Sequence, residues 1–412
     1  MYDEIAQVKE KTNKLFDAVL TSNATKIDDF ILVTFNDPGT QLRTITRDRS
    51  EFKRALAAIN VVGGNDCPEY AMTGIELALE KSKPNSFFYV FTDAAAKDYA
   101  LFDKIKSLSL KKSTKVTFLL TGQCPDFNPS GFVVFDKLAA ATGGEVFQIE
   151  KHDISKIIDY IIESVKDVKT TLAQKFFVEG SGKTVQFNVD SKSWDIMVSV
   201  SATTPNFRVI GPDGALVGTE TDKSITTRKT RIEKLKVIPG LHTIFLDTKG
   251  ATSVMVTAST SVTFEHGFST IQPESLNETA TKPVPSKKSY LAISLDIYKK
   301  DVKLQTVEVR DEDDDVIYTF PLKLINEDTQ FYVTEAFIPP SKSFKLAVIG
   351  YTETGEKIVR LGSTTIELQD VELGKDIVYK KPTATIIGGP KLHAAYNEEL
   401  TTFNLYKQKN RL

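Results

Sequence analysis

Phe87-Phe88-Tyr89-Val90-Phe91-Thr92-Asp93 is a short apolar run that ends in a carboxylate. Such a run is too short for a helix, and its aromatic and β-branched content reads as a buried strand with Asp93 at its carboxyl tip. About twenty residues earlier stands Gly63-Gly64-Asn65-Asp66-Cys67-Pro68-Glu69. This is a tight acidic loop leading into a helix expected from about Pro68 to Lys81, with proline in the first turn. Open α/β sheets gather ligands beyond the carboxyl ends of their strands. Two acidic groups delivered there point to a hard-cation site built from oxygen ligands.

Working outward, Phe30 to Phe35 reads as a buried strand, stopped by the turn Asn36-Asp37-Pro38-Gly39. Gln41 to Thr46 alternates and reads as an edge strand of a hairpin. Residues 2–20 carry one apolar helical face, and Ser50 is expected to cap a helix reaching Ile59. Downstream, helices at 99–109, 131–142 and 153–168 alternate with strands at 116–120 and 145–149. The middle helix stops at Gly143-Gly144. Strands alternating with helices predict a doubly wound α/β unit with a mostly parallel sheet. Helical periodicity stops near residue 172. Short strands at 185–189, 196–200, 207–210, 242–246, 254–257 and 262–265 predict an all-β sandwich. Lys282-Pro283-Val284-Pro285-Ser286 reads as a linker before a second β unit. The expected organisation is an α/β domain at 1–170, a β-sandwich at 172–280, a second β-sandwich at 286–370 and a tail at 371–412.

The 412 residues are 41% hydrophobic and 26% charged, with a net charge of −2, as in ordinary globular chains. No broad basic field exists to hold nucleic acid. No apolar stretch is long enough for membrane insertion, and Met1-Tyr2-Asp3-Glu4 lacks the pattern of a signal peptide. His152, His242, His266 and His393 are scattered, and no nucleophile elbow, phosphate loop or dinucleotide fingerprint occurs. Nothing in the sequence points to an enzyme. Cys67 and Cys124 are read either as a bridged pair, which implies an oxidising compartment, or as two unrelated thiols. Asn23 and Asn277 stand in glycosylation sequons. Asp311-Glu312-Asp313-Asp314-Asp315 lacks the alternate spacing of a calcium loop and reads as a solvated hairpin turn. Trp194 offers a sugar platform only weakly and is expected in the core or at its rim.

Several segments in order carry a family resemblance. They are Gly63-Gly64-x-Asp66-Cys67-Pro68-Glu69, Tyr89-Val90-Phe91-Thr92-Asp93-Ala94, Lys97-Asp98-Tyr99, Leu120-Thr121-Gly122-x-Cys124, Phe264-Glu265-His266-Gly267-Phe268-Ser269 and Phe337-Ile338-Pro339-Pro340. Together they resemble the hemicentins, whose chains carry a von Willebrand factor type A domain. The resemblance covers roughly residues 1–370. It implies an extracellular matrix or cell-adhesion protein, non-enzymatic and secreted, that meets an extracellular matrix or cell-surface partner through a divalent-cation adhesion site. It also implies that the chain begins just after the first metal-binding segment and the first strand, so that a gap or a direct closure is expected between the strands at 30–36 and 86–92.

Of the remaining ligands, Asp93 matches the third metal segment. Asp66, Glu69 and Thr73 compete for the second, with Asp66 preferred. Glu69 is equally well explained by a place near a helix N-terminus. Mg²⁺ or Ca²⁺ is then expected to bind weakly, since these ions want about six oxygens. The resemblance also favours a Cys67–Cys124 disulfide. Two alternatives stand beside it. One is an intracellular type A assembly or scaffold subunit. The other is a carbohydrate-binding module in the first β-sandwich.

Overall fold

The computed structural model describes residues 6–11, 14, 28–37, 39–60, 67–122, 130–164, 169–296, 301–312, 314–362, 365–369, 392–397 and 402–407. The chain divides into two compact units. One comprises 1–261, 312–314 and 356–365, and the other 262–311, 315–355 and 366–412.

The first unit begins with a helical segment at 6–11 and the hairpin of β1 (Phe30–Phe35) and β2 (Thr40–Thr46). Then come α1 (Arg49–Ala57), α2 (Ala71–Lys81), β3 (Phe87–Thr92), α3 (Phe102–Lys111), β4 (Lys115–Leu120), α4 (Ser130–Thr142), β5 (Val146–Gln148) and α5 (Ile154–Ser164). β3, β4 and β5 form a parallel sheet, as the alternation predicts. The β1–β2 hairpin is a separate sheet, and no strand among the described residues joins it to β3. The two strands are therefore not closed directly onto each other.

Several boundaries differ from the sequence expectation. Asp48, not Ser50, caps α1, because its carboxylate accepts the Ser50 N–H at 2.7 Å. Helix α2 starts at Ala71 rather than Pro68. Glu69, one residue after the proline, is extended and bridges in parallel to Ala96. That use of its main chain forbids helical bonding there. Gly143 ends α4 with φ +70°, a left-handed conformation that glycine adopts without strain. α5 buries Ile154, Ile157, Ile158, Ile161 and Ile162 on one face. Each such side chain contributes about 2 kcal/mol of apolar burial.

That isoleucine face meets Leu119 and Phe147 of the parallel sheet and also Met197 and Ile232 of the following β-sandwich. The sandwich consists of β6 (Lys169–Phe177), β7 (Thr184–Val189), β8 (Ser193–Ser201), β9 (Thr204–Ile210), β10 (Gly218–Thr226), β11 (Thr230–Lys236), β12 (Gly240–Lys249) and β13 (Thr252–Thr260). One sheet runs β10-β11-β8-β13-β6 and the other β7-β12-β9. Between them lie Phe187, Val198, Val200, Phe207, Ile244 and Val256. The sequence pattern places no strand at β6, β10 or β11; in the last two, Gly-Thr-Glu-Thr-Asp-Lys-Ser-Ile-Thr and Thr-Arg-Ile-Glu-Lys-Leu-Lys are dominated by polar residues. Trp194 is 49% exposed, so it is a rim residue and not a core one.

The second unit contains β14 (Thr263–Ser269), β15 (Tyr290–Asp296), β16 (Val302–Arg310), β17 (Val316–Pro321), β18 (Lys323–Asn326), β19 (Phe331–Val333) and β20 (Lys345–Thr352). β14-β15-β19-β18 form one antiparallel sheet, and β16 pairs with β17 and β20 in another. The sequence reading grouped residues 262–265 with the preceding strands, but β14 pairs with β15 instead. Residues 282–286 are not a free linker. Val284 is 2% exposed, and the Pro283 carbonyl accepts the Gln369 N–H at 2.9 Å. At the acidic stretch the Asp311 N–H donates to the Asp315 carbonyl at 2.9 Å, between β16 and β17. β21 (Lys357–Leu361) belongs to the first unit, and in the tail β22 (Leu392–Asn397) and β23 (Thr402–Lys407) pair antiparallel. Pro382-Thr383-Ala384-Thr385-Ile386-Ile387, which the sequence offers as the first strand of a further immunoglobulin-type module, lies outside the described residues.

Candidate metal centre

Asp93 follows β3 directly, at the carboxyl end of the parallel sheet, where the sequence places it. The Thr121 N–H donates to the Thr92 carbonyl at 3.0 Å, which continues the β3–β4 pairing to the sheet's end. Gly122 lies so close to the Asp93 main chain that a Cβ would collide with its carbonyl. The Asp93 carboxylate is 31% exposed, and Lys151 Nζ stands 3.9 Å from it.

The loop after Asp93 is made of Ala94, Ala95 and Ala96, all buried. Small side chains let this turn pack tightly, and its main chain carries the contacts. Glu69 N–H donates to the Ala95 carbonyl at 2.9 Å, and Lys97 N–H donates to the Glu69 carbonyl at 2.8 Å. These main-chain bonds bring the Glu69 and Asp93 loops side by side. Asp66, the preferred second ligand, lies outside the described residues.

The other candidate donor is already in use. Thr73 Oγ1 donates to Asp98 Oδ2 at 2.6 Å, while the main-chain N–H groups of Met72 and Thr73 donate to the two Asp98 oxygens at 3.1 and 2.7 Å. Asp98 therefore satisfies orphan donors at the start of α2, and its charge faces the positive end of the helix dipole. Sequence reasoning missed this role. The carboxylate comes from 25 residues downstream, so no local capping pattern marks it. Lys97 pairs with Asp37 and lies 5.8 Å from the Tyr70 ring centre, which closes the same loop cluster.

Among the described residues, no three Asp, Glu, His or Cys side chains converge on a point where a cation would sit. Mg²⁺ and Ca²⁺ require about six oxygens. Here Thr73 is committed to Asp98, and a lysine stands beside Asp93. By themselves the described side chains supply too few oxygens for such an ion.

Cys67 is exposed just ahead of α2, and the described residues hold no free cysteine; Cys124 lies outside them. Asn277 is exposed in a short 3-10 turn, Leu276–Glu278, and Asn23 lies outside the described residues. His152 is exposed in the turn before α5, next to the buried Asp153.

A second acidic cluster lies away from the sheet's end. Asp136 on α4 is 5% exposed and accepts from Ser253 Oγ of β13 at 2.5 Å. Burial pushes its carboxyl up to about 7, against the opposing pull of the Ser253 hydroxyl. Glu145 accepts from Tyr160 Oη at 3.5 Å, and its Oε2 is buried with no hydrogen-bond partner. Burial raises its carboxyl too, opposed by the Lys115 charge. These groups mark where the α/β layer meets the sandwich. Their pairing is invisible in sequence, because Asp136 and Ser253 are 117 positions apart.

Residues 1–151 match the family model described as von Willebrand factor A domain. These residues are a von Willebrand factor A domain. The A domain accounts for the parallel sheet, its helices and the acidic loops at its end. Similarity to curated proteins runs further along the chain. Hemicentin-1 of Mus musculus is 29% identical over 371 residues, which is 89% of this chain and 7% of that protein. Hemicentin-2 of Mus musculus is 28% identical over 373 residues, with the same coverage of each. The von Willebrand factor A domain-containing protein 7 of Mus musculus is 32% identical over 201 residues, covering 46% of this chain and 22% of that protein. The chain thus spans about 7% of the hemicentins' length, and the hemicentin match extends well past the A domain into the β-rich units.

Proposed function

We propose that this chain is part of a hemicentin-type extracellular matrix or cell-adhesion protein and works by binding rather than by catalysis. The observation that carries this reading is the extent of similarity, 371 aligned residues against the 151 of the A domain alone. An A domain followed by the same β-rich region is a combination of parts, more specific than a domain shared by many proteins. The partner is a protein of the matrix or cell surface, and the recognition face is the end of the parallel sheet where the Asp93 and Glu69 loops meet.

At that face a cation binds weakly. Asp93 and Asp66 supply carboxylate oxygens, Glu69 is a further candidate, and water fills the remaining positions. A Cys67–Cys124 disulfide ties the two loops at this end, and Asn23 and Asn277 carry glycans. The lack of any free thiol among the described residues favours an oxidising compartment over the intracellular scaffold reading.

Calorimetric titration of the 412-residue chain with Mg²⁺, Ca²⁺ and Mn²⁺ tests the site. Weak, millimolar-range binding that Asp93→Ala removes is expected. Tight binding that survives Asp93→Ala would place the cation elsewhere. Adhesion of immobilised chain to matrix proteins and to cells, with and without chelator, tests the wider reading. The absence of any such binding by correctly glycosylated, oxidised material defeats it.

A carbohydrate-binding role for the first sandwich has one specific support, the half-exposed Trp194 on β8. A glycan array in which Trp194→Ala abolishes a signal would favour it.

A further inference from the structure

In the second unit, one continuous segment supplies the outer strand of two different sheets. β17 borders the sheet that it shares with β16 and β20. After Leu322 the chain enters β18, which borders the sheet of β14, β15 and β19. Leu322 N–H donates to the Gln305 carbonyl at 2.9 Å, so Leu322 faces β16. Antiparallel ladders alternate, and the main-chain groups of Thr319 and Pro321 therefore face away from β16. No strand among the described residues pairs with that side.

Exposed apolar side chains stand on this strand: Val316, Ile317 and Tyr318 are 52, 40 and 44% exposed. A border strand with exposed apolar side chains and open main-chain groups is a template for another strand. Its ends carry opposite charges, with Asp315 just before β17 and Lys323 just after it. Two-fold antiparallel pairing centred on Thr319 sets Asp315 of one copy opposite Lys323 of the other. The same register sets Tyr318 opposite Phe320, rings that already lie 5.8 Å apart within one strand. Parallel pairing would instead set acid against acid.

We propose that β17 is a homophilic edge, through which two copies of this chain join β17 to β17 and merge two sheets into one. Self-complementary charges select a second copy over an unrelated strand. Pro321 removes one outward donor from each strand, which keeps the pairing short. The two-fold arrangement uses up both edges and closes, so the product is a dimer and not a fibre. One strand pair buries less than a standard interface of about 1,600 Å². The dimer is therefore weak and concentration-dependent.

Sedimentation velocity of the 412-residue chain from the micromolar to the millimolar range tests this. A monomer–dimer equilibrium is expected, with amide-exchange protection at Thr319 that rises with concentration. Ile317→Lys should abolish the dimer. Asp315→Lys and Lys323→Asp should each weaken it about tenfold, and the double swap should restore it. Circular dichroism and thermal melting establish that each variant is folded. A monomer at every concentration overturns the proposal. So do a dimer indifferent to Ile317→Lys, a double swap that restores nothing, and open-ended aggregates in place of a dimer.

Discussion

Asp98 takes three hydrogen bonds from the first turn of α2, two from main-chain N–H groups and one from the Thr73 hydroxyl. Asp98→Ala leaves those donors orphaned and should cost about 1–2 kcal/mol, the usual range for a lost cap. Urea denaturation reads this directly, and Asp98→Asn should lose less because it keeps the acceptor. Asp136 gives a second residue-level prediction, with a sign. Its carboxyl is raised to about 7 by burial, above the unfolded value near 3.9. Its contribution is full below the unfolded value and is lost as pH rises through 7. Stability should fall by about 1.4 kcal/mol per pH unit across that window from this group alone. Asp136→Asn keeps an acceptor for Ser253 and should flatten the slope in melting curves taken between pH 5 and 8. Neither role is legible in the sequence. A carboxylate looks the same in a string of letters whether it caps a distant helix, waits for a cation or sits protonated in an interface.

At the scale of elements, local patterns told more. The runs at 30–35, 87–92 and 115–120 and the isoleucine stripe of α5 are strands and helix as their periodicity predicts. Misjudged starts and the misread linker share one cause, main-chain bonding to partners far along the chain. Glu69 is held extended by Ala95 and Lys97, and the proline-rich stretch at 282–286 is fastened by Gln369. The strand β21 (Lys357–Leu361) shows the same principle more strongly. Its Arg360 is 1% exposed and makes a bidentate pair with Asp190 at 2.7 and 3.0 Å, with Ser193 and Thr260 hydroxyls accepting further bonds. Arg360→Ala strands a buried carboxylate and should cost about 3–5 kcal/mol. Replacing both partners, as Arg360→Met with Asp190→Asn, should cost less, and denaturant titration of the two variants distinguishes them. At the sheet's end, Gly122→Ala should displace the Asp93 loop, lower the melting temperature and weaken any cation binding, because main chain and not a movable side chain occupies the space.

At the scale of the whole molecule, hydrogen exchange resolved by segment should show the second unit responding to acid through His266. Burial lowers this imidazole to about 4, below the unfolded value near 6.5. Its neutral form is favoured in the folded state. Stability of this unit is therefore full above 6.5 and declines as pH falls towards 4, opposite in sign to the Asp136 effect. His266→Phe should remove the decline. The sequence by itself determined the class of each part. Apolar runs of strand length alternating with helical stripes require a parallel α/β sheet, and short alternating runs after residue 172 require antiparallel sheets, because those periods follow from backbone geometry. The acidic loops at 63–69 and 93–98, together with the segments at 120–124, 264–269 and 337–340 in the same order, also pointed to the family. Only the tertiary structure decided how these parts combine. It set the first sandwich into one compact unit with the A domain, through α5 and the Asp136–Ser253 contact. It also committed Thr73 to Asp98 and left β17 without a strand on its outer side among the described residues. Those outcomes depend on which distant groups meet, and a linear pattern records side-chain chemistry but not the partner that satisfies it.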